Sequence, residues 1–182
     1  SVRKRLQSRQ FVKAFNMESP PAPRAALPVV TFADEVTFHW NEQTLQVKHI
    51  PAAHTDGDAI IHFEEANVIH AGDLYFNGFF PFIDSASGGT LRGMIAGAKH
   101  MLEISDENTQ IIPGHGPLSN KAELLAYRQM LMTVAERLTA LRAQGKNDEE
   151  IVAAKPLADL EAEWGDGFLP TEKWLRLVLD AI

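Results

Sequence analysis

The sequence predicts an α/β fold in which a mixed sheet is flanked by helices. β-Branched and aromatic residues are concentrated in short segments between residues 29 and 71, which is typical of strands. From residue 90 onward apolar residues recur at three- and four-residue spacing, which is typical of helices with one face on a core. Polar clusters rich in His, Asp and Gly interrupt the apolar segments. These clusters are expected in loops at strand ends, which often carry functional residues.

Composition limits the class of protein. The chain has 182 residues, 45% of them apolar, so we expect a single domain over residues 1–182. A net charge of -7 argues against a nucleic-acid partner. Because there is no cysteine, any metal must be held by imidazole and carboxylate. No apolar run is long enough for a membrane span. We therefore expect a soluble chain without a targeting segment. The sequence does not distinguish a bacterial-type cytoplasm from the periplasm as its compartment.

The strand pattern predicts six strands, among them two antiparallel pairs. A hairpin turn is expected at Asn41-Glu42, and the apolar runs of the second pair suggest strands covered on both faces. Before them, the pattern favours short helical turns over 2–15 and an extended, proline-rich surface segment over 18–28. The predicted strands are 29–32, 36–40, 44–50, 59–63, 68–71 and 110–113.

Four helices are predicted from apolar spacing and capping residues. The first covers 90–104, and the longest begins after Asn120, with Glu123 completing a capping box, and ends before Gly145. Asn147 begins a shorter helix that ends before Pro156, and Thr171 caps the last. The residues of that last helix predicted to face inward are Trp174, Leu175, Val178 and Leu179.

Three short clusters carry the candidate chemistry. They are Ala53 to Asp58, His70 to Asp73 and Pro113 to Gly116. Each offers a metal-ligating side chain at a strand end, and their wide separation along the chain suits a site assembled by the fold rather than a local finger. Glycines beside each ligand let the backbone turn sharply and a metal come close. The candidate metal ligands are His54, Asp73 and His115.

In order and spacing, these clusters resemble the later metal motifs of the metallo-β-lactamase superfamily of hydrolases. The resemblance implies part of a four-layer αβ/βα sandwich with two metals at its edge. It implies that His54 is the last ligand of the first metal, that Asp73 bridges both metals, and that His115 is the last ligand of the second.

The first motif of that superfamily, His-x-His-x-Asp-His, does not occur here. The resemblance therefore implies that the chain is the C-terminal part of the fold. Three protein ligands divided between two ions are too few for tight binding. We expect metal to bind weakly or not at all to this chain alone, and two zinc ions, with iron possible, to bind the intact protein.

Supporting residues are predicted on both sides of these ligands. Asp56 and Asp58 lie beside His54 and could hold its ring by a hydrogen bond, as carboxylates often support metal-bound imidazole, or serve only as loop or cap residues. The other five histidines match no motif and are expected to be structural or exposed. The aromatic run after Asp73 could wall a substrate pocket, face a partner subunit or pack in the core. Its predicted pocket residues are Tyr75, Phe76, Phe79 and Phe80.

The function expected of the intact protein is hydrolysis of an ester, thioester, lactone or similar small-molecule bond by metal-activated water. Iron at the same ligands would instead support oxygen or persulfide chemistry. A third hypothesis is a catalytically silent, truncated form stabilised as a homodimer, because half of a layered fold leaves apolar surface exposed.

Overall fold

The computed structural model describes residues 2–12 and 16–182. It contains a two-stranded sheet near the N-terminus and a five-stranded main sheet. The strands are β1 (Gln10–Val12), β2 (Met17–Ser19), β3 (Glu35–Trp40), β4 (Gln43–Ile50), β5 (Asp58–Phe63), β6 (Val68–Phe76) and β7 (Gln110–His115). The helices are α1 (Val2–Leu6), α2 (Leu91–Ile104), α3 (Lys121–Ala143), α4 (Asp148–Ala153), α5 (Glu161–Trp164) and α6 (Thr171–Leu179).

The main sheet is mixed, with strand order β3-β4-β5-β6-β7. Strands β3 to β6 form an antiparallel meander, whereas β7 pairs parallel with β6. A parallel pair needs a crossover connection, and α2 supplies it between β6 and β7. The predicted α/β class with a mixed sheet flanked by helices is confirmed.

One face of this sheet forms the core. Ile60, Ile69 and Ile111 on β5, β6 and β7 are at most 1% exposed, and they pack in one apolar cluster with α2 and α3. Met94 and Leu131, from those two helices, are fully buried in the same cluster. The helices therefore fix β6 and β7, the two strands that carry Asp73 and His115.

The opposite face of the sheet is apolar but not buried. The strand registers place nine large apolar side chains on it, and each is half-buried or exposed. The expectation that the second strand pair is covered on both faces is therefore wrong for the described residues, which form one sheet with one helical layer. The homodimer stays a prediction, with this open face as its candidate interface. The large apolar residues of this open face are Val36, Phe38, Trp40, Leu45, Val47, Ile61, Phe63, Val68 and Ile112.

The N-terminal region differs from its predicted elements. Helix α1 ends at Leu6, and β1 and β2 form a small antiparallel sheet; residues 13–15 of the predicted helical turns lie outside the described residues. Residues 24–26, expected to be extended, form one 3-10 turn. Residues 29–32 form no strand, because Pro28 precedes them and none of the described strands pairs with them.

The four predicted helices are present, with two changes at their starts. Asn120 accepts a hydrogen bond from the Glu123 N–H, but the Glu123 carboxylate accepts from Ser119 and Asn77 rather than closing a capping box. Helix α4 has the complete capping box. Helix α6 begins at Thr171 without a side-chain cap, and its four predicted inward residues are buried. Within the described ranges, no helix has the length and apolarity needed to cross a membrane.

Candidate metal centre

The three candidate ligands meet at one edge of the main sheet. His54 lies in the loop between β4 and β5, Asp73 lies in β6, and His115 is the last residue of β7. The Nε2 atom of His54 is 3.5 Å from Oδ2 of Asp73, and the Nε2 atom of His115 is 3.3 Å from Oδ1 of the same carboxylate. Each histidine therefore approaches a different oxygen of Asp73.

An irregularity in the β6–β7 ladder positions Asp73. The parallel register shifts on either side of Gly72, which adopts a φ of +53°, a conformation that glycine tolerates best. The backbone of β7 also approaches closely, since a Cβ at Gly114 would collide with Oδ1 of Asp73. Absence of a side chain at position 114 thus leaves room for the carboxylate beside His115.

The ring of His54 is oriented by a backbone carbonyl. Its Nδ1 lies 2.7 Å from the carbonyl oxygen of Phe82. Because a carbonyl only accepts, Nδ1 carries the proton, and Nε2 of the neutral ring presents a lone pair. That lone pair faces Oδ2 of Asp73, so two electron-rich atoms point at each other. A cation between them, or a proton on Nε2, stabilises such an arrangement.

The loop that carries His54 is tied to the start of α2. Thr90 caps this helix, and its hydroxyl donates to the carbonyl of Ala52 at 2.6 Å while its N–H donates to the carbonyl of Ala53 at 2.8 Å. The carbonyl of His54 accepts from the N–H of Asp84 at 2.9 Å. The imidazole is therefore placed by backbone contacts on both sides.

Of the two roles considered for Asp56 and Asp58, support of the His54 ring or a function within the loop, their observed contacts fit the second. Both ring nitrogens of His54 face other groups. Asp58 accepts hydrogen bonds from the N–H and hydroxyl of Thr55, each at 2.8 Å, and so closes the loop on itself. Asp56 pairs with the guanidinium of Arg5. These carboxylates shape the loop because their short side chains reach nearby groups before they reach the ring.

Aromatic rings surround the cluster on three sides. Phe76 stacks on His115 with ring centroids 4.8 Å apart, and Phe168 meets the same imidazole edge-on at 4.8 Å. Phe82 lies edge-on to His54 at 5.7 Å. A cavity of about 230 Å³ lies between them, and it is lined by His54, Asp73, Phe76, Phe82, His115 and Phe168.

The four predicted pocket residues divide between wall and core. Phe76 lines the cavity, and Phe79 lies behind the wall with its ring 5.4 Å from Phe168. Tyr75 is fully buried, and burial raises its pKa to about 12. Phe80 is 5% exposed and stacks on Trp174. Tyr75 and Phe80 therefore do not line the cavity, because they point into the core beside the residues that do.

Phe168 is a wall residue that was not predicted, and Phe82 was considered only as part of the aromatic run, not among the four predicted pocket residues. Phe82 ends the aromatic run noted in the sequence, whereas Phe168 is far from Asp73 along the chain. The one local signal for Phe168 is its position in a short Gly- and Pro-bounded loop between α5 and α6.

The donors suit a metal in kind but not in number. Two ligands of a tetrahedral zinc ion, each about 2.0–2.1 Å from it, lie about 3.4 Å apart, close to the two His–Asp separations observed. An ion between either histidine and Asp73 would have one imidazole nitrogen and one carboxylate oxygen as ligands, whereas zinc sites have three or four protein ligands. Among residues 2–12 and 16–182, no group of three or more His, Asp or Glu side chains could hold an ion by itself. The described residues therefore do not form a complete metal site.

The fold of the chain resembles that of solved metallo-β-lactamases. No protein-family profile matches the chain, and no curated protein does. Similar solved structures include the B3 metallo-β-lactamase BLEG-1, with a TM-score of 0.51 and 23% identity over 61% of this chain and 52% of that chain. They also include the inverting sec-alkylsulfatase Pisa1 from Pseudomonas sp., with a TM-score of 0.57 and 16% identity over 90% of this chain.

A double mutant of the same alkylsulfatase has a TM-score of 0.60 and 18% identity over 86% of this chain. At these identities the likeness concerns the fold. The chain spans about half the length of the metallo-β-lactamase BLEG-1 and 26% of each alkylsulfatase structure.

Proposed function

We propose that this chain supplies one part of a two-metal hydrolytic centre. The observation that carries the proposal is the placement of two imidazole Nε2 atoms 3.5 and 3.3 Å from the two oxygens of one carboxylate. A bridging carboxylate flanked by one imidazole on each side is a ligand arrangement for a pair of ions. The fold, shared with solved metallo-β-lactamases, supports the same assignment.

In this proposal each side chain has a distinct role. His54 would hold one ion, His115 would hold the other, and Asp73 would be a ligand shared by both. A pair of divalent ions would supply a water of lowered pKa for attack on an acyl or similar centre. The Phe82 carbonyl holds the Nδ1 proton of His54 and so keeps Nε2 available as a ligand. The stacked Phe76 restrains the plane of His115.

The remaining ligands are proposed to come from residues outside this chain. Two protein donors per ion leave at least one position per ion unfilled. The metal shell would then be complete only in a longer protein or in an assembly. The bond proposed for hydrolysis is an ester, thioester, lactone or similar small-molecule bond. Nitrogen and oxygen donors suit both zinc and iron, so elemental analysis of the purified protein decides between hydrolysis and iron-dependent oxygen or persulfide chemistry.

Zinc titration of the chain tests this assignment. We expect the wild type to bind zinc weakly. Binding is measured by calorimetry and by the shifts of the His54 and His115 ring protons in NMR spectra. Asp73→Asn should abolish these shifts, and His115→Asn should leave only the shifts of the His54 ring protons. His39→Asn is the matched control, because His39 is an exposed histidine on the edge strand β3, and it should titrate as the wild type does.

Two outcomes would count against specific parts of the proposal. Tight, stoichiometric zinc on the wild-type chain would show that no ligand is missing. Equal zinc binding by the wild type and Asp73→Asn, without ring-proton shifts, would remove Asp73 from the site. Hydrolysis itself is measured on butyrate esters, thioesters and lactones with zinc or iron added, and a rate that survives Asp73→Asn would contradict the proposed chemistry.

A further inference from the structure

We infer that the substrate presents an uncharged hydrocarbon group, bound between the rings of Phe76, Phe82 and Phe168. The inference rests on the proposed function, because it takes Asp73 and the two histidines as the place where the bond is broken. It adds the chemical class of the group beside that bond. The cavity joins directly onto the ligand cluster, so a group held in it lies next to the reacting position.

The lining of the cavity determines which group it accepts. The polar side chains that line it are the three candidate ligands, and the rest of the lining is phenylalanine. No Lys or Arg side chain is among these described lining residues. An anionic group placed against the three phenylalanine rings would lose its water without gaining a partner from them, which is costly. A hydrocarbon group would instead cover aromatic surface that water now contacts, which is favourable.

The loop that carries Phe168 is fixed to the rest of the fold at both ends. The carbonyl of Trp164, just before the loop, accepts from the N–H of Phe80 at 2.8 Å. Just after the loop, Trp174 stacks on Phe80 with ring centroids 4.2 Å apart and donates to the carbonyl of Pro81 at 2.5 Å. Both ends of the loop are therefore fixed to the segment that continues to Phe82.

Close packing within the loop directs Phe168 toward the cluster. A Cβ at Gly167 would lie 3.1 Å from Cβ of Phe79, so glycine lets the backbone lie against that residue. Phe168 then contacts Phe79, Phe76 and His115 edge-on while its side chain stays 54% exposed. A large apolar ring held rigidly over a polar cluster leaves aromatic surface that a ligand would cover.

The size of the cavity limits the group to a short one. Pockets that enclose a whole small ligand measure about 300–1,000 Å³, and this cavity measures about 230 Å³. It therefore holds one part of a substrate, such as a short alkyl chain or a single ring, with the scissile bond at the ligand cluster.

Binding of 1-propanol, 1-butanol, 1-pentanol and 1-hexanol tests the inference without requiring activity. The alcohols are titrated into the metal-free chain, and binding is measured from the NMR shifts of the His115 ring protons. Because each buried methylene contributes about 0.8 kcal/mol, affinity should rise up to about fourfold per carbon until the cavity is full. Phe168→Ala should lower the affinity for 1-hexanol at least about threefold and reduce the dependence on chain length.

Phe38→Ala is the matched control, since Phe38 is a 42% exposed phenylalanine on the open face of the sheet, and it should leave 1-hexanol binding at His115 unchanged. The inference is overturned if glutarate or inorganic phosphate binds at His115 more tightly than 1-hexanol, or if Phe168→Ala binds 1-hexanol as the wild type does. Asp73→Asn separates the two proposals, because it should lose zinc binding and keep alcohol binding. If the wild type binds the alcohols but shows no zinc binding that depends on Asp73, the metal assignment alone is refuted. If the wild type binds zinc but not the alcohols, the substrate class alone is refuted.

Discussion

Substitution of two glycines in α2 tests how tightly this helix holds the loop of His54. A Cβ at Gly93 would lie 1.9 Å from the carbonyl oxygen of Ala52, whereas a Cβ at Gly97 would lie 3.2 Å from the side-chain ends of Ile50 and Leu74. Ordinary contact begins at 3.4 Å. Gly93→Ala therefore places its methyl group far inside that limit and requires the backbone of Ala52 to move. In Gly97→Ala the new methyl group lies 0.2 Å inside the 3.4 Å contact distance, so only a slight shift of flexible side chains is required.

The expected free energies follow from these distances. Alanine is intrinsically better than glycine in a helix by up to about 1 kcal/mol, which applies to both variants. Overpacking against fixed backbone costs about 1–3 kcal/mol or more, so Gly93→Ala should lower the free energy of unfolding by about 1–2 kcal/mol. Gly97→Ala should change it by less than about 1 kcal/mol, because the ends of Ile50 and Leu74 can move.

Urea unfolding followed by circular dichroism measures both variants against the wild type. With an m-value of about 2 kcal/mol/M, Gly93→Ala should lower the unfolding midpoint by about 0.5–1 M, and Gly97→Ala should leave it nearly unchanged. Gly93→Ala should also shift the His54 ring protons, since its methyl group displaces the backbone beside that residue. Equal stability of the two variants would refute the argument that α2 clamps this loop.

Three further predictions concern the core, the pH range and the open face. Trp174→Ala should lower the free energy of unfolding by about 3–5 kcal/mol in urea titrations, because Trp174 is 3% exposed and stacks on Phe80; a loss below about 1 kcal/mol would contradict that packing. Burial raises the pKa of Tyr75 from 10.0 to about 12, so the stability that its neutral form contributes is complete below pH 10 and is lost as the pH rises to about 12. Thermal unfolding between pH 9 and 12 should show this decline, and it should be less steep in Tyr75→Phe. If a second copy covers the open face, the wild type should sediment as a dimer and Phe38→Lys as a monomer; a monomeric wild type would contradict the homodimer.

The general fold was predictable because its signals are local. Helices α2, α3 and α4 begin at Thr90, Asn120 and Asn147, whose side chains accept from N–H groups of the first turn. The β3–β4 hairpin turns at Asn41 and Glu42, both with positive φ. Each of these features depends on residues within a few positions of one another, and so sequence alone identifies them.

The convergence of His54, Asp73 and His115 was predictable for another reason. Each ligand follows or ends a strand beside glycine, and the order of the three clusters resembles a known pattern. The structure places the three side chains together. Their role as metal ligands stays a prediction.

What could not be predicted depends on contacts between distant segments. The apolar runs of β5 and β6 do not reveal that one face lacks a covering layer, because periodicity reports apolar positions and not their partners. Phe168 reaches the cavity through the packing of Trp174 on Phe80, two residues from distant parts of the chain. Asp56 and Asp58 are close to His54 in sequence, yet other nearby groups compete for their oxygens.

The cavity is divided between the sheet and the C-terminal helices, and under the proposed function this division would separate reactivity from selectivity. The three candidate ligands are set by β6, β7 and the loop after β4, whereas one wall belongs to the short loop that joins α5 to α6. Substitutions in that loop can reshape what is admitted without disturbing the carboxylate or the imidazoles. If the proposed function holds, variation of residues 165–170 should alter the substrate range and leave the three candidate ligands in place.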